Sequence, residues 1–251
     1  MVAPRRVCAA FGGALALLLA AGCSAVDTVT GNDASGSPTP ASNGVAEKAP
    51  AEILDAARKA LAGGGSVHVK GNGTADGQVY AIDMRVQGTR GGRGTVTIHH
   101  NPVEILRVGK TAYIKGSAAF WLDFTGDKAA TELLKGKYLK ASTDDPDMRG
   151  IVGFTDAGKL AEGLLRASGA VTLADRREVA SVDTVGVTFR PNDGGKATVY
   201  VATTGKPYPM YLSTTGATPD ETIALDFTDY DKPFEVTAPP ADLVVDTAKL
   251  K

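Results

Sequence analysis

The sequence predicts an α+β fold built on one large antiparallel sheet. Two observations carry this. Apolar residues alternate with polar ones, at the period of a half-buried strand, both before and after a helical middle. Glycine-containing turns separate the alternating runs, as hairpin connections require.

Pro50 suits a first helical position, and Ile53, Leu54, Ala57 and Leu61 follow at helical spacing until Gly63-Gly64-Gly65 ends the run. The period then changes to two. Val67 and Val69 alternate with polar residues, as do Tyr80, Ile82, Met84 and Val86, then Val96 and Ile98. Gly91-Gly92-Arg93-Gly94 reads as a turn between strands; no helix follows it, so it is no phosphate cradle. Val103 to Gly116 reads as a hairpin closed by the two-residue turn Gly109-Lys110.

The middle is helical. Ala118-Ala119-Phe120-Trp121-Leu122-Asp123-Phe124 is the most apolar and aromatic stretch after the N-terminal segment, and Asp127 is placed to cap a helix through Leu133-Leu134 that Gly136 closes. A short strand at Tyr138 to Lys140 and a turn at Asp144-Asp145-Pro146-Asp147 lead to Ile151 and Phe154. Thr155 is placed to cap a helix carrying Leu160, Leu164 and Leu165. Strands resume at Val171 to Leu173, Val185 to Phe189, Thr198 to Ala202, Pro207 to Leu212 and Ile223 to Phe227. Lys206-Pro207-Tyr208-Pro209 reads as a rigid turn feeding a sheet edge, since proline lacks the ladder donor.

Ahead of this domain, residues 1–22 have the three parts of an export signal. Arg5 and Arg6 give the positive region, and Phe11 to Ala20 is an apolar run of signal-peptide length, well short of the roughly twenty residues that span a bilayer. Leu19-Ala20-Ala21-Gly22-Cys23-Ser24 resembles a bacterial lipobox, which implies cleavage before Cys23 and a diacylglyceryl group on its thiol. Residues 23–50 are rich in Ser, Thr, Gly, Pro, Asn and Ala and read as a flexible tether; residues 51–251 read as one domain. The expected location is the extracytoplasmic face of a membrane, held there by the N-terminal lipid.

Composition sets limits on chemistry. At 43% hydrophobic and 22% charged, the chain has an ordinary folded composition. Removing the signal takes two arginines from the 27 Lys and Arg against 28 Asp and Glu, leaving a net charge of about −3 and no basic stripe to bind nucleic acid. Cys8 leaves with the signal and Cys23 is committed to lipid, so no thiol remains for a disulfide, a metal or a nucleophile. On one strand His99 and His100 would point to opposite faces and could not share a metal. The acidic runs at Asp144-Asp145-Pro146-Asp147 and Asp229-Tyr230-Asp231 fall short of a calcium ligand set and read as solvated turns. No H-E-x-x-H, G-x-S-x-G or S-x-x-K pattern occurs. A non-catalytic protein without metal or cofactor is expected.

Several segments, in order, resemble the actinobacterial lipoproteins of the LppX/LprAFG family within the LolA/LolB-like group. They are Ser66-Val67-His68-Val69-Lys70-Gly71, Arg107-Val108-Gly109-Lys110-Thr111-Ala112-Tyr113-Ile114-Lys115-Gly116, Ala118-Ala119-Phe120-Trp121, Tyr200 to Pro209, and Asp226-Phe227 to Asp231-Lys232-Pro233. The resemblance implies a strongly curved antiparallel half-barrel of about ten or eleven strands, with short helices packed on its concave face. It also implies a carrier that holds acyl chains of a lipid, glycolipid or acylated protein between sheet and helices, with an envelope transporter or acceptor protein as a further partner and a high-GC Gram-positive host.

If a cavity lies there, the expected lining is Ile82, Met84, Val96, Ile98, Ile105, Ile114, Leu122, Phe124, Leu133, Leu134, Leu160, Leu164, Val187, Phe189, Met210 and Leu212. The same residues could instead pack against one another in a filled core. Phe120 and Trp121 could gate the cavity mouth, touch a membrane or anchor the core. Glycines 116, 126, 136, 150 and 153 flank the helical middle where hinges would serve a lid. Two other functions compete with a carrier: an interaction or sensory module of the same fold with a filled core, and a secreted hydrolase, which would need polar side chains converging in a cleft.

Overall fold

The computed structural model describes residues 41–246 apart from Asp76, Asp193, Ala217 and Pro219, with Ala75, Asp147 and Ile151 described by backbone alone. The export segment, Cys23 and the tether as far as residue 40 lie outside the described residues. Helix α1 (Pro50–Gly63) leads into strands β1 (Val67–Ala75), β2 (Gln78–Gln87), β3 (Gly91–Ile98), β4 (Asn101–Val108) and β5 (Thr111–Lys115). Helices α2 (Ala118–Thr125) and α3 (Lys128–Leu134) precede β6 (Tyr138–Ser142), and α4 (Arg149–Gly153) and α5 (Ala157–Leu164) follow it. The chain continues through β7 (Thr172–Val179), β8 (Val182–Phe189), β9 (Lys196–Ala202), β10 (Pro209–Thr215), β11 (Thr222–Thr228) and β12 (Val244–Asp246).

These strands form one sheet in the order β12-β6-β5-β4-β3-β2-β1-β11-β10-β9-β8-β7. The sheet is curved and open rather than closed into a barrel. Neighbours pair antiparallel, except that β12 lies parallel to β6. The α+β class and the single large sheet are as the alternation predicts; the strand count of twelve exceeds the expected ten or eleven. β12, only three residues long, is too short to show a period.

Register explains why alternation produces a core. Val69 lies opposite Met84, Met84 opposite Gly94, Gly94 opposite Ile105, Ile105 opposite Ile114, and Ile114 opposite Leu139. On the other wing Leu225, Leu212, Val199 and Val187 form a second cross-strand row. Both rows face the helices, whose Ile53, Leu54, Ala57, Leu61, Leu160 and Ala161 join the same buried cluster.

The strands define two rims. At the near rim β1 begins, and the turns after β2, β4, β7 and β9 are found there. At the far rim lie the turns after β1, β3, β8 and β10, and the α2–α3 hairpin, which joins the end of β5 to the start of β6. Residues 41–48, part of the tether by composition, are laid against the near rim. Ser42 bridges Thr204, the Asn43 amide donates to the Ala202 and Gly205 carbonyls, and Val45 is buried.

Several local expectations change. His99 and His100 are not strand residues; they form the two-residue turn between β3 and β4, with φ of 49° and 65°. Gly91-Gly92-Arg93-Gly94 lies inside β3, and Gly88-Thr89-Arg90 makes the turn. The run Ala118–Phe124 is helical, started by Ser117, whose hydroxyl accepts from the Phe120 N–H at 3.1 Å. Asp127 caps α3 as expected. The cap of α5 is Asp156 rather than Thr155: its carboxylate accepts from the Lys159 N–H at 3.0 Å, while the buried Thr155 hydroxyl donates to the Val152 carbonyl. Lys206 to Pro209 feeds an interior strand, not an edge, since β10 sits between β9 and β11.

After β11 the chain runs as a strap from Asp229 to Leu243 to reach β12 beyond β6. It starts with side chains already engaged. Asp229 meets Arg85 at 3.0 Å, and Asp231 accepts from the Gly65 N–H and from Lys206, both at 2.9 Å. It passes β3, where the Arg93 guanidinium lies over the Phe234 ring.

Candidate functional site

Helix α5 crosses the sheet from near rim to far rim, and its two ends are held differently. At the near rim the Asp156 carboxylate receives the Arg107 guanidinium at 2.9 Å, and both side chains are nearly buried. Arg107 also donates to the carbonyls of Thr89 at 2.6 Å and Gly109 at 2.9 Å, so a single side chain joins the turns after β2 and β4 to the start of α5. The Ala157 N–H donates to the Gly88 carbonyl beside it. Burial works against the Asp156 charge, but the Lys159 N–H and the Arg107 guanidinium outweigh it and hold the carboxyl below its usual range.

Under the far-rim half of α5 the packing is incomplete. A half-open cavity of about 280 Å³ lies between Phe154, Leu160 and Leu164 on the helical side and β1, β2, β3 and β11 on the other. Its walls are Val69, Asn72, Gly73, Tyr80, Ala81, Ile82, Val96, Ile223 and Leu225, and the surface they expose inside it is apolar. The cause is local. The inward positions of β1 run Val67, Val69, Gly71, Gly73, so the strand stops filling the inner face halfway along. Those glycines are also required by the bend of the sheet: a Cβ on Gly71 would lie 1.9 Å from the Ala224 carbonyl oxygen, and one on Gly73 2.2 Å from that of Thr222.

Leu164 and Ile223 are shared with an adjoining recess of about 260 Å³ at the far rim. Its walls carry the hydroxyls of Thr74, Thr214, Thr215 and Thr222 and the Glu221 side chain. An apolar space thus opens beside a hydroxyl-bearing one. Among the described residues no three His, Cys, Asp or Glu converge as a metal site would require.

The expected lining divides into three groups. Ile82, Val96, Leu160 and Leu164 line the cavity. Met84, Ile105, Ile114, Leu134, Val187, Phe189 and Leu212 are buried in the core and form none of its wall, while Ile98 packs half-buried against that core and Met210 is half-buried. Leu122, Phe124 and Leu133 are 40%, 39% and 40% exposed. Phe120 and Trp121 are core anchors rather than a gate or a membrane-touching pair, with ring centroids 4.9 Å apart. Gly116, expected at a hinge, is a close-packing position: a Cβ there would lie 2.2 Å from the Phe120 ring. Val69, Asn72, Gly73, Tyr80, Ala81, Phe154, Ile223 and Leu225 also line the cavity and are not in the expected lining. The signal for them was present in Gly71-Asn72-Gly73 on a strand that had begun with Val67 and Val69.

No protein-family model matches the sequence, and no curated protein matches it. Among solved structures, LprF from Mycobacterium bovis is 16% identical, matching 76% of this chain and 96% of its own, with a TM-score of 0.51. This is an LprF-like fold. The lipoprotein LppX from Mycobacterium tuberculosis also aligns, at 16% identity over 74% of this chain and 97% of its own, with a TM-score of 0.47. In the LprF-like sheet of this chain, the cavity occupies the region where α5 leaves the inner face of β1 uncovered.

Proposed function

We propose that this chain is a membrane-anchored extracytoplasmic lipoprotein that holds an acyl chain of a lipid, glycolipid or acylated protein in the cavity under α5 and carries or presents it at the cell envelope. In this reading residues 1–22 are removed, Cys23 carries the membrane anchor, and the segment after it tethers the domain. The reading involves no catalysis. It rests on one observation: the only surface offered inside the cavity of about 280 Å³ is apolar. The LprF-like fold supports the architecture.

Size narrows the cargo. The cavity is about twice the ~150 Å³ apolar cavity that stays dry and takes up benzene, and sits at the low end of the ~300–1,000 Å³ typical of ligand pockets. It suits one chain or the end of one, with the polar part of the cargo in the recess beside Thr214 and Thr222. Each methylene moved there from water contributes about 0.8 kcal/mol, so a six-carbon stretch contributes about 5 kcal/mol before the cost of association.

The test is to purify the chain from its native membrane, extract it, and identify bound lipid by mass spectrometry. An acylated molecule in stoichiometric amount is expected, together with binding of a fluorescent fatty acid by the emptied protein. Neither lipid nor probe binding would overturn the proposal and favour an interaction module of the same fold.

A further inference from the structure

The exposed apolar side chains are unevenly placed. Among the described residues eight large ones stand more than a third exposed, and seven of these lie at the far rim. Leu122, Phe124 and Leu133 project from the α2–α3 hairpin, Ile223 flanks the cavity, and Val79 lies at the start of β2 at the same rim. Leu173 begins the edge strand on one side, and Leu243 precedes β12 on the other. Val108 alone is at the near rim. The apolar rim therefore surrounds the end of the sheet where the cavity opens, while residues 41–48 lie against the opposite end.

We infer that the far rim is a bilayer-docking surface, its apolar side chains entering the boundary between headgroups and acyl chains so that the cavity mouth faces the lipid. This rests on the reading of Cys23 as acylated and of the cavity as an acyl site. Chain length supports a lipid surface as the occupant. From Cys23 to Ala41 the chain can extend to at most about 60 Å, and the nine residues of β1 make the sheet about 30 Å tall. An anchor that attaches at the near rim is thus long enough to let the far rim turn onto the same bilayer. Charge says which kind of contact it is. On the hairpin Lys128, Lys135 and Lys137 are balanced by Asp123, Asp127 and Glu132, so apolar insertion rather than attraction to anionic lipid must hold the surface down.

The test uses the full mature chain with Cys23→Ser, which removes the covalent anchor, in flotation with phosphatidylcholine vesicles. Partition onto vesicles is expected, changing less than twofold when salt is raised to roughly 0.5 M. The triple variant Leu122→Ser, Phe124→Ser, Leu133→Ser should lose at least tenfold in partition while still melting cooperatively above the assay temperature. Because Phe124 also stacks on Phe120, Leu122→Ser with Leu133→Ser alone should lose partition in the same direction, and Val108→Ser should behave like the parent. Absence of partition by the parent, an unaffected triple variant, or binding confined to anionic vesicles and released by salt would each overturn the inference. A fluorescent fatty acid in vesicle-free buffer separates the two proposals. Probe binding without vesicle partition removes the docking surface alone, and partition without probe binding removes the cavity reading alone.

Discussion

Val96 sits in the cavity wall, paired with Ile82 on one side and Val103 on the other, and is 3% exposed. Replacing it with Phe adds about four carbons to the inner face, in place of about three methylenes of cargo. At ~0.8 kcal/mol each, those methylenes represent about 2.4 kcal/mol, or a weakening of fatty-acid binding by about 50-fold. The same substitution should leave stability within about 1 kcal/mol of the parent, because the ring enters existing space. Ile105→Phe is the contrasting variant. It sits in the filled row between Gly94 and Ile114, where extra volume should cost roughly 1–3 kcal/mol and leave probe binding near its parent value. Urea denaturation gives the stabilities, and titration with a fluorescent fatty acid gives the affinities. If Val96→Phe costs as much as Ile105→Phe and binds probe normally, the reasoning fails, since the space under α5 would then be closed in solution.

Arg107→Met should destabilise the domain by about 3–5 kcal/mol in the same denaturation assay, because it strands the Asp156 carboxylate and removes the donors to Thr89 and Gly109. The parent's Asp156 is held below the ordinary value of 3.8, so its contribution to stability is present above that pH and lost as pH falls through the lower folded value; the variant, which keeps the Lys159 N–H but loses the guanidinium, should show a smaller acid loss. Gly71→Ala should cost more than about 4 kcal/mol or prevent folding, since its methyl would meet the Ala224 carbonyl at 1.9 Å; a soluble variant with the parent's melting temperature would contradict that geometry. Burial, and then the hydrogen bond with Glu104, push the Tyr138 hydroxyl up to about 12. Its protonated state therefore adds stability that is present below pH 10 and lost as pH rises through the folded value. Ultraviolet titration should show one phenol fewer in the loss between parent and Tyr138→Phe only near that upper value.

How far the sequence speaks depends on what each face of an element meets. Strands with one dry and one wet face, such as β2 with Ile82, Met84 and Val86, show a clear period and were legible. β7 was legible only at its start, because Asp175-Arg176-Arg177-Glu178 lies on an exposed edge strand with both faces wet and no alternation to read. Its backbone also shifts register between Leu173 and Arg176, which breaks any simple period. Alternation leaves room for a cavity but does not place it. Apolar alternation marks the side chains that face inward, whereas a gap is made by inward positions that carry none, here Gly71 and Gly73. Helix α2 misled for the opposite reason. Phe120, Trp121, Leu122 and Phe124 are equally apolar, and only the tertiary placement of an eight-residue helix buries the first two and leaves the others outside.

The strap from Asp229 to Leu243 has a consequence for the order of assembly. It leaves the centre of the sheet at β11 and returns at the outermost position, so β6 gains its parallel neighbour only from residues near the end of the chain. Until Val244–Asp246 arrive, β6 presents unpaired amides and carbonyls along Tyr138–Lys140, and the Lys140 ammonium lacks the Asp246 carboxylate that it meets at 2.8 Å. A chain made from its N-terminus holds that edge open while β7 to β11 and the strap are still being added. β12 thus covers an edge that would otherwise be a template for pairing with another chain, and that edge stays open until Val244–Asp246 dock.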